Sequence, residues 1–216
     1  MEQPKNNFKI VSDKKARMLL PNALTLIGVC IGLSSIKFAL DGKFALAVIA
    51  IIFAGLMDAL DGRIARLIKG TSKMGKELDS LADVISFGVA PAFVMYFWNL
   101  QYLDKLGWLL CLVYVVCVAL RLARFNVSSS EEPSWKDNFF EGVPAPAGGI
   151  IVLMPLILSF SGFTEIFFKI NYDVIVPIFF IIVSILLIST IPTYSFKKIV
   201  IPRNMTKFLL FGIVLF

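Results

Sequence analysis

Four aspartates stand close together in a chain that is otherwise strongly hydrophobic. They are Asp58, Asp61, Asp79 and Asp83, and apolar sequence flanks them on both sides. On membrane-insertion scales each such charge costs about 2.5–3.5 kcal/mol at the centre of a helix. A chain keeps a cluster of this kind only if a partner offsets the cost, and hard divalent cations are the partners that carboxylate oxygens bind best.

The spacing of these residues predicts that they share one cleft. The first group, at i, i+3 and i+4, is Asp58, Asp61 and Gly62; the second, at i, i+4 and i+8, is Gly75, Asp79 and Asp83. Each group occupies one face of a helix, so two antiparallel helices joined by a short basic loop would point all four carboxylates at the same place. An all-oxygen ligand set favours Mg²⁺ or Mn²⁺ over zinc. Four carboxylates suffice to bridge two ions about 3.5–4 Å apart, the arrangement that clamps a transferring phosphoryl group.

Three residues beside the aspartates suit a phosphate-bearing ligand. Gly62 and Gly75 leave the backbone open where a nucleotide or pyrophosphate would approach. Arg66 can neutralise phosphate oxygens, or it can be one more positively charged anchor at the membrane surface. The alternative, in which the aspartates only form interfacial salt bridges with neighbouring basic residues, is adequate for any single aspartate. It is disfavoured for four aspartates on matching faces with two accompanying glycines.

Composition places these residues in a membrane protein. The 216-residue chain is 58% hydrophobic, has a mean hydropathy of +0.83 and carries only 17% charged residues, against about 25% in soluble domains. It contains no histidine, which excludes histidine-based acid–base chemistry and any Ser-His-Asp triad. Its three cysteines lie inside apolar runs without metal-type spacing and are interpreted as small buried hydrophobic residues: Cys30, Cys111 and Cys117.

Length and hydropathy predict an all-α, polytopic bundle of six transmembrane helices. The predicted spans are Leu20–Leu40, Phe44–Leu67, Lys76–Leu100, Leu106–Phe125, Pro146–Phe163 and Val174–Tyr194. They define a catalytic membrane domain over residues 18–196. A basic N-terminus (residues 1–17), with an interfacial helix expected near its end, precedes this domain, and a second basic segment (residues 197–216) follows it. The last ten apolar residues are too few to cross a bilayer at about 1.5 Å per residue, so they are interpreted as a partial seventh helix or an interfacial segment.

The distribution of basic residues predicts the orientation. With the N-terminus in the cytoplasm, only four of the 21 lysines and arginines fall outside: Lys37, Lys43, Lys105 and Lys169. This bias follows the positive-inside rule and puts the acidic cluster at the cytoplasmic ends of the second and third helices. Membrane anchoring thereby accounts for the net charge of +6, and no nucleic-acid partner is expected.

The acidic stretch resembles a family signature at every fixed position. It reads Asp58-x2-Asp61-Gly62-x2-Ala65-Arg66-x8-Gly75-x3-Asp79-x3-Asp83, which is the pattern of the CDP-alcohol phosphotransferases. These are integral membrane enzymes with a six-helix core, usually homodimeric. They displace CMP from a CDP-linked lipid or alcohol with a second alcohol as acceptor.

The resemblance implies roles for individual residues. Two divalent ions, Mg²⁺ or Mn²⁺, would be bound by Asp58, Asp61, Asp79 and Asp83. The last of these would also take the proton from the attacking hydroxyl as general base. The CDP-diacylglycerol site would be lined by Gly62, Ala65, Arg66 and Gly75, together with Asn22 and Thr25 of a Pro-Asn-x-x-Thr element that opens the first helix.

The sequence after the third aspartate resembles one branch of the family, the membrane-integral (type II) phosphatidylserine synthases. Phosphatidylglycerolphosphate synthases read Asp-Pro-x-Ala-Asp-Lys there, whereas this chain reads Asp-Ser-Leu-Ala-Asp-Val-Ile-Ser-Phe-Gly-Val-Ala-Pro over residues 79–91. Residues 121–126 and 142–146 agree with the same branch, so the resemblance covers roughly residues 18–163. It implies transfer of a phosphatidyl group from CDP-diacylglycerol to the hydroxyl of L-serine, by direct in-line displacement, at the cytoplasmic face of a prokaryotic cytoplasmic membrane.

Five further residues are candidates for binding serine or phosphate. Arg121 and Arg124 are spaced i, i+3 at the end of a helix, so both are expected to reach the cleft. Either could fork onto a serine carboxylate or onto the donor's phosphates, or act as a membrane anchor. The weaker candidates, which could also bond only within or between helices, are Ser80, Ser86 and Asn126.

Three alternatives stay open from the residues alone. The acceptor could be glycerol 3-phosphate or inositol phosphate, which would need an additional basic pocket. A cation or proton transporter based on aspartates would require carboxylates near mid-membrane rather than at the cytoplasmic ends of helices. A scaffold with a degenerate motif is disfavoured, because no position of the signature is lost.

Overall fold

The structure is a computed structural model that describes residues 13–67, 72–128, 139–141, 143–160, 171–189 and 192–194. The start of the chain, the second basic segment and the predicted seventh helix lie outside the described residues. The first helix is continuous from Asp13, so the described part of the expected interfacial helix belongs to it.

Helices make up nearly all of the described secondary structure. They are α1 (Asp13–Leu40), α2 (Phe44–Leu67), α3 (Lys73–Asp83), a π-helical segment (Val84–Val89), α4 (Ala90–Trp98), a 3₁₀ turn (Leu100–Leu103), α5 (Lys105–Ser128), α6 (Ala145–Val152), α7 (Met154–Phe160) and α8 (Tyr172–Ile188). Two short strands, β1 (Phe139–Glu141) and β2 (Pro192–Tyr194), pair antiparallel. The prediction of a helical membrane protein is confirmed, and the strand pair is an addition that the sequence pattern did not indicate.

Four of the predicted spans are confirmed as helices long and apolar enough to cross a membrane. They run over Leu20–Leu40, Phe44–Leu67, Met74–Trp98 and Lys105–Val127, each within two residues of the predicted bounds. The third span joins α3, the π-helical segment and α4 into one rod. Half of the residues in its apolar 18-residue stretch are buried inside the protein, whereas about a third or less are buried in the other three spans. The third span is therefore the central element of an integral membrane protein.

The fifth and sixth predicted spans contain shorter helices. α6 and α7 meet at Leu153, where the backbone turns, and together they cover the described part of the fifth span. α8 ends at Ile188, so the predicted extension of the sixth span to Tyr194 is wrong, because Pro192–Tyr194 forms β2 instead. Proline has no N–H to donate within a helix, and the edge of a ladder tolerates it.

A tight turn sets α1 and α2 side by side and antiparallel. Gly42 adopts φ +73°, a left-handed conformation open to a residue without a side chain, and its N–H bonds to the Ala39 carbonyl at 3.0 Å. Lys37 donates to Asp41 at 2.5 Å, and this hydrogen bond holds the pKa of the Asp41 carboxyl below its ordinary value. Two residues that are equally far along the chain from the turn, one before it and one after it, therefore lie side by side on α1 and α2.

The core lies where the third span packs against α5, α6 and α8. Its largest fully buried side chains include Tyr114, Phe87 and Phe180. The outward faces of the helices carry large apolar side chains, such as Ile49 and Ile185, which are 59% and 63% exposed. Lipid tails are as apolar as these side chains, so the exposed faces are suited to a bilayer.

Candidate active site

The acidic cluster lies where α2 and the third span run beside α1. Asp58 and Asp61 belong to the second half of α2, and Asp79 and Asp83 belong to α3. Asp61 is six residues before the end of α2, which is about 9 Å along the helix axis. The four aspartates therefore lie in the halves of α2 and of the third span that are nearer to residues 68–71.

The structure brings these side chains together. Carboxylate oxygens of Asp58, Asp61 and Asp79 lie within 4.8 Å of one another, and Asp83 is close enough to Asp58 and Asp79 for their charges to act on it. Like charges this close repel strongly where the dielectric is low, so a cation held between the carboxylates would stabilise the cluster.

The donor set fits a divalent metal ion. The converging carboxylates offer the hard oxygen ligands that Mg²⁺ and Mn²⁺ favour. In addition, Asp83 Oδ1 is buried without a hydrogen-bond partner among the described residues. A buried carboxylate oxygen without a donor is costly, and a cation held in the cleft would satisfy it.

Thr25 of α1 orients one of the carboxylates. Its hydroxyl donates to Asp61 Oδ2 at 2.5 Å and also lies 3.1 Å from the Pro21 carbonyl one turn earlier. Thr25 is 8% exposed and Asp61 2%, so water has little access to the pair. Hydrogen bonds to ionised groups are shorter and stronger than neutral ones, and this one fixes the direction of the Asp61 carboxylate.

The two glycines of the motif have different surroundings. A Cβ on Gly75 would lie 3.0 Å from Asn22 Oδ1 and 3.1 Å from Ser72 Oγ. The Gly75 N–H donates to Ser72, the N-cap of α3, at 2.9 Å. Gly75 therefore lets α1 approach the start of α3, with Asn22 at the contact. Among the described residues, none outside the adjacent backbone of α2 would lie within 4 Å of a Cβ on Gly62, so this side of the helix borders open space.

Ala65 and Arg66 continue the motif toward the end of α2. Ala65 is half-buried and Arg66 is exposed. Arg66 Nε donates to the Gly62 carbonyl of the same helix at 3.0 Å. This bond keeps the guanidinium beside the open backbone of Gly62, where it is available to an anion.

The three polar candidates have separate positions. Asn126 Nδ2 donates to Ser80 Oγ at 2.9 Å, and this bond joins α3 to the end of α5. Ser86 is 4% exposed and lies against α1, because a Cβ on Gly32 would be 2.8 Å from Ser86 Oγ. Ser86 lines the cleft, whereas Ser80 and Asn126 connect two helices.

The two arginines of α5 also differ. Arg121 is half-buried, its Nε has no hydrogen-bond partner among the described residues, and its charge acts on Asp83. Arg124 is exposed and donates from Nη1 to the Ile188 carbonyl at 2.8 Å. A carbonyl in the last turn of a helix has no donor within that helix, so Arg124 ties α5 to the end of α8. Of the two arginines, Arg121 is therefore the one whose charge acts on the acidic cluster, whereas Arg124 bonds to the end of α8.

A small open cavity lies between α1, α2 and the third span. Five of its lining residues are among the predicted site residues: Thr25, Asp58, Asp61, Asp83 and Ser86. The other five were not predicted from the sequence and are Gly28, Val29, Ala54, Ala82 and Phe87. The sequence did contain a signal for two of them, because small side chains at helical spacing mark the close approach of membrane helices. Gly28 is three residues after Thr25, and Ala54 is four residues before Asp58.

Thr25→Val is expected to weaken Mn²⁺ binding about 10–100-fold, because valine keeps the shape of threonine but removes the donor that orients Asp61. The measurement is a Mn²⁺ titration of the purified protein in detergent, followed by electron paramagnetic resonance. Thr25→Ser is the matched control, since it keeps the hydroxyl and should bind Mn²⁺ as the wild-type protein does. Unchanged affinity in Thr25→Val would show that this hydrogen bond does not organise a metal site.

Comparison with known proteins places the chain in a family. The family model for CDP-alcohol phosphatidyltransferase matches residues 18–191. A Mycobacterium bovis protein named CDP-diacylglycerol–serine O-phosphatidyltransferase is 40% identical over 194 residues, which cover 86% of this chain and 64% of the relative. A protein of the same name from Helicobacter pylori is 35% identical, over 84% of this chain and 74% of the relative. Another from Bacillus subtilis is 37% identical, over 66% of this chain and 76% of the relative. The chain thus spans slightly less than two thirds of the mycobacterial protein's length. It belongs to the CDP-alcohol phosphatidyltransferase family.

Proposed function

We propose that the protein is a CDP-diacylglycerol–serine O-phosphatidyltransferase, which transfers the phosphatidyl group of CDP-diacylglycerol to the hydroxyl of L-serine and releases CMP. The observation that carries the proposal is the cleft in which Asp58, Asp61 and Asp79 converge within 4.8 Å, beside Asp83. Serine as the acceptor is supported by the names of the relatives from three bacterial genera.

Two divalent ions, Mg²⁺ or Mn²⁺, are the proposed cofactors. Asp58, Asp61, Asp79 and Asp83 would hold them, and the bound ions would neutralise charge on the donor's pyrophosphate and on the leaving CMP. The convergence of the carboxylates and the unpartnered, buried Oδ1 of Asp83 support this assignment.

The chain's own residues supply proton transfer and alignment. The serine hydroxyl gives its proton to Asp83, and its oxygen attacks the β-phosphorus of CDP-diacylglycerol. The bond from that phosphorus to the bridging oxygen breaks as CMP leaves. Holding the two substrates in line contributes much of the rate, because it removes the entropy cost of their encounter. A single displacement of this kind needs no nucleophile from the protein.

The nucleotide part of the donor is proposed to lie against the open backbone at Gly62. Arg66, bonded to the Gly62 carbonyl at 3.0 Å, is positioned for the phosphate oxygens, and Ala65 and Gly75 would border the site. Asn22 contributes through its contact with Gly75, and Thr25 through Asp61. The acyl chains would remain in the bilayer beside the apolar outer faces of the helices.

The proposed orientation has the N-terminus and the active site in the cytoplasm. It rests on the distribution of lysine and arginine along the sequence. The protein is further proposed to lie in a prokaryotic cytoplasmic membrane and to form a homodimer, as is usual in the family.

Purified protein in detergent, supplied with CDP-diacylglycerol and Mn²⁺, is expected to release CMP with serine but not with glycerol 3-phosphate or inositol phosphate. A phosphorylated acceptor needs several basic groups, whereas the carboxylate of serine can be held by Arg121 alone. CMP release with a different acceptor would agree with the family assignment but would contradict serine as the acceptor. No release with any acceptor, from folded protein that binds Mn²⁺, would overturn the transferase proposal.

Asp83→Asn is expected to lower turnover about 10²–10⁴-fold while CDP-diacylglycerol still binds, because asparagine has the same shape but cannot accept the serine proton. CMP release and binding of radiolabelled donor measure the two effects separately. Asp41→Asn makes the same change in a loop carboxylate away from the cluster and should keep full activity. A fully active Asp83→Asn protein would remove this residue as the base.

Arg121→Lys is expected to raise the KM for serine about tenfold, the effect of losing one hydrogen bond to a charged group, and to change the KM for CDP-diacylglycerol less. Lysine keeps the charge but lacks the planar fork that matches a carboxylate. Arg124→Lys is the control, and it should leave the serine KM near its wild-type value because Arg124 bonds to Ile188. A larger change in the donor KM for Arg121→Lys would reassign this arginine to the donor's phosphates.

A further inference from the structure

We propose that Tyr114 is a positioning residue for Asp83 and acts through the π-helical segment Val84–Val89, called the π turn below. The inference rests on the role proposed above for Asp83 as the base that takes the serine proton. It concerns a residue of α5 that lies in the core and is not part of the family signature.

Pro91 disturbs the hydrogen bonding of the third span just after the π turn. Because proline has no N–H, the Phe87 carbonyl, four residues earlier, loses its α-helical donor. The Ala90 N–H bonds to the Ile85 carbonyl five residues earlier, as in a π-helix, and is directed away from Ser86. The helix is therefore wider here, and the Phe87 carbonyl is open to a donor from another helix.

Tyr114 supplies such a donor. Its hydroxyl donates to the Phe87 carbonyl at 2.9 Å. Tyr114 is 0% exposed, and its ring lies 5.1 Å from that of Phe180 in α8. A buried hydroxyl or carbonyl that loses its partner cannot turn to water instead, so the bond holds the two groups together and keeps the backbone of Phe87 in place.

Close packing by two other helices confines the same turn. A Cβ on Gly149 of α6 would lie 3.1 Å from Phe87 Cβ and 3.2 Å from the Phe87 carbonyl oxygen. On α1, a Cβ on Gly32 would lie 2.8 Å from Ser86 Oγ and 3.2 Å from Ser86 Cα. These helices touch the backbone of the π turn at positions without side chains, which shows that the turn has a defined shape and little room to move.

The shape of the π turn decides where Asp83 points. Asp83 is the last α-helical residue before the π turn. Each residue of an α-helix turns the following side chain by about 100°, and a π turn holds more residues than an α turn. If the π turn relaxed to α-helix, Asp83 would rotate relative to α4 and away from Asp58. A residue that stabilises the π turn therefore sets the direction of the Asp83 carboxylate.

Tyr114→Phe is expected to lower kcat about 10–100-fold, the effect of a misdirected catalytic group, with the KM values for both substrates nearly unchanged. Amide hydrogen exchange of residues 84–92, measured without substrate, should become faster. Cys111→Ala is the matched control, because Cys111 Sγ donates from the same helix to the Ala92 carbonyl at 3.5 Å, beyond the π turn. That variant should keep wild-type kcat and wild-type exchange in residues 84–89.

Wild-type kcat in Tyr114→Phe, or an equal loss in Cys111→Ala, would overturn the inference. If Tyr114→Phe does not fold, the double variant Pro91→Ala, Tyr114→Phe restores a backbone donor for Phe87 and permits an ordinary α-helix. It is expected to fold and to keep the low kcat, whereas wild-type kcat in it would show that the π turn is not needed.

Different measurements would contradict the proposed function and the proposed role of Tyr114. Absence of CMP release from the wild-type protein would overturn the function. Unchanged hydrogen exchange in Tyr114→Phe would overturn the inference, whatever the acceptor.

Discussion

Repulsion among carboxylates that lie between apolar helices is the constraint on which the arrangement of this site depends. Two like charges 4 Å apart repel by about 4 kcal/mol at an effective dielectric constant of 20, and the cluster contains three carboxylates within 4.8 Å and a fourth beside them. The bundle meets this cost with the Thr25 hydroxyl on Asp61 and with an open cavity beside the aspartates. A cation held among the carboxylates would offset the repulsion that remains.

Holding the carboxylates close requires helices that approach one another closely. In a bilayer the hydrophobic effect does not press helices together, so small residues that permit backbone contact carry much of the association. Gly32, Gly75 and Gly149 each leave less than 3.3 Å between a hypothetical Cβ and a neighbouring helix or cap. Gly62 differs, because among the described residues none outside the adjacent backbone of α2 lies within 4 Å of its Cβ position. Gly32, Gly75 and Gly149 thus serve close packing, whereas Gly62 leaves open space beside α2.

Several polar side chains near the site act on other helices instead of facing the cleft. Arg124 bonds to the end of α8, Asn126 bonds to Ser80, and Tyr114 bonds to the Phe87 carbonyl. Each bond joins the third span or α8 to α5. A polar group that spans two helices in an apolar bundle contributes to their relative position, and here the result is a fixed third span that carries two of the four aspartates.

The membrane class, the first four spans and the acidic motif could be predicted from the sequence, because hydropathy and helical spacing depend only on residues near one another in the chain. The sequence did not indicate the end of α8 at Ile188, the strand pair or the π turn. It also did not distinguish Arg121, whose charge acts on Asp83, from Arg124, which bonds to the Ile188 carbonyl. Those features depend on which distant residues meet. Tertiary packing alone decided them, since a carbonyl that Pro91 leaves without its donor becomes a contact for Tyr114 only when α5 lies against the third span.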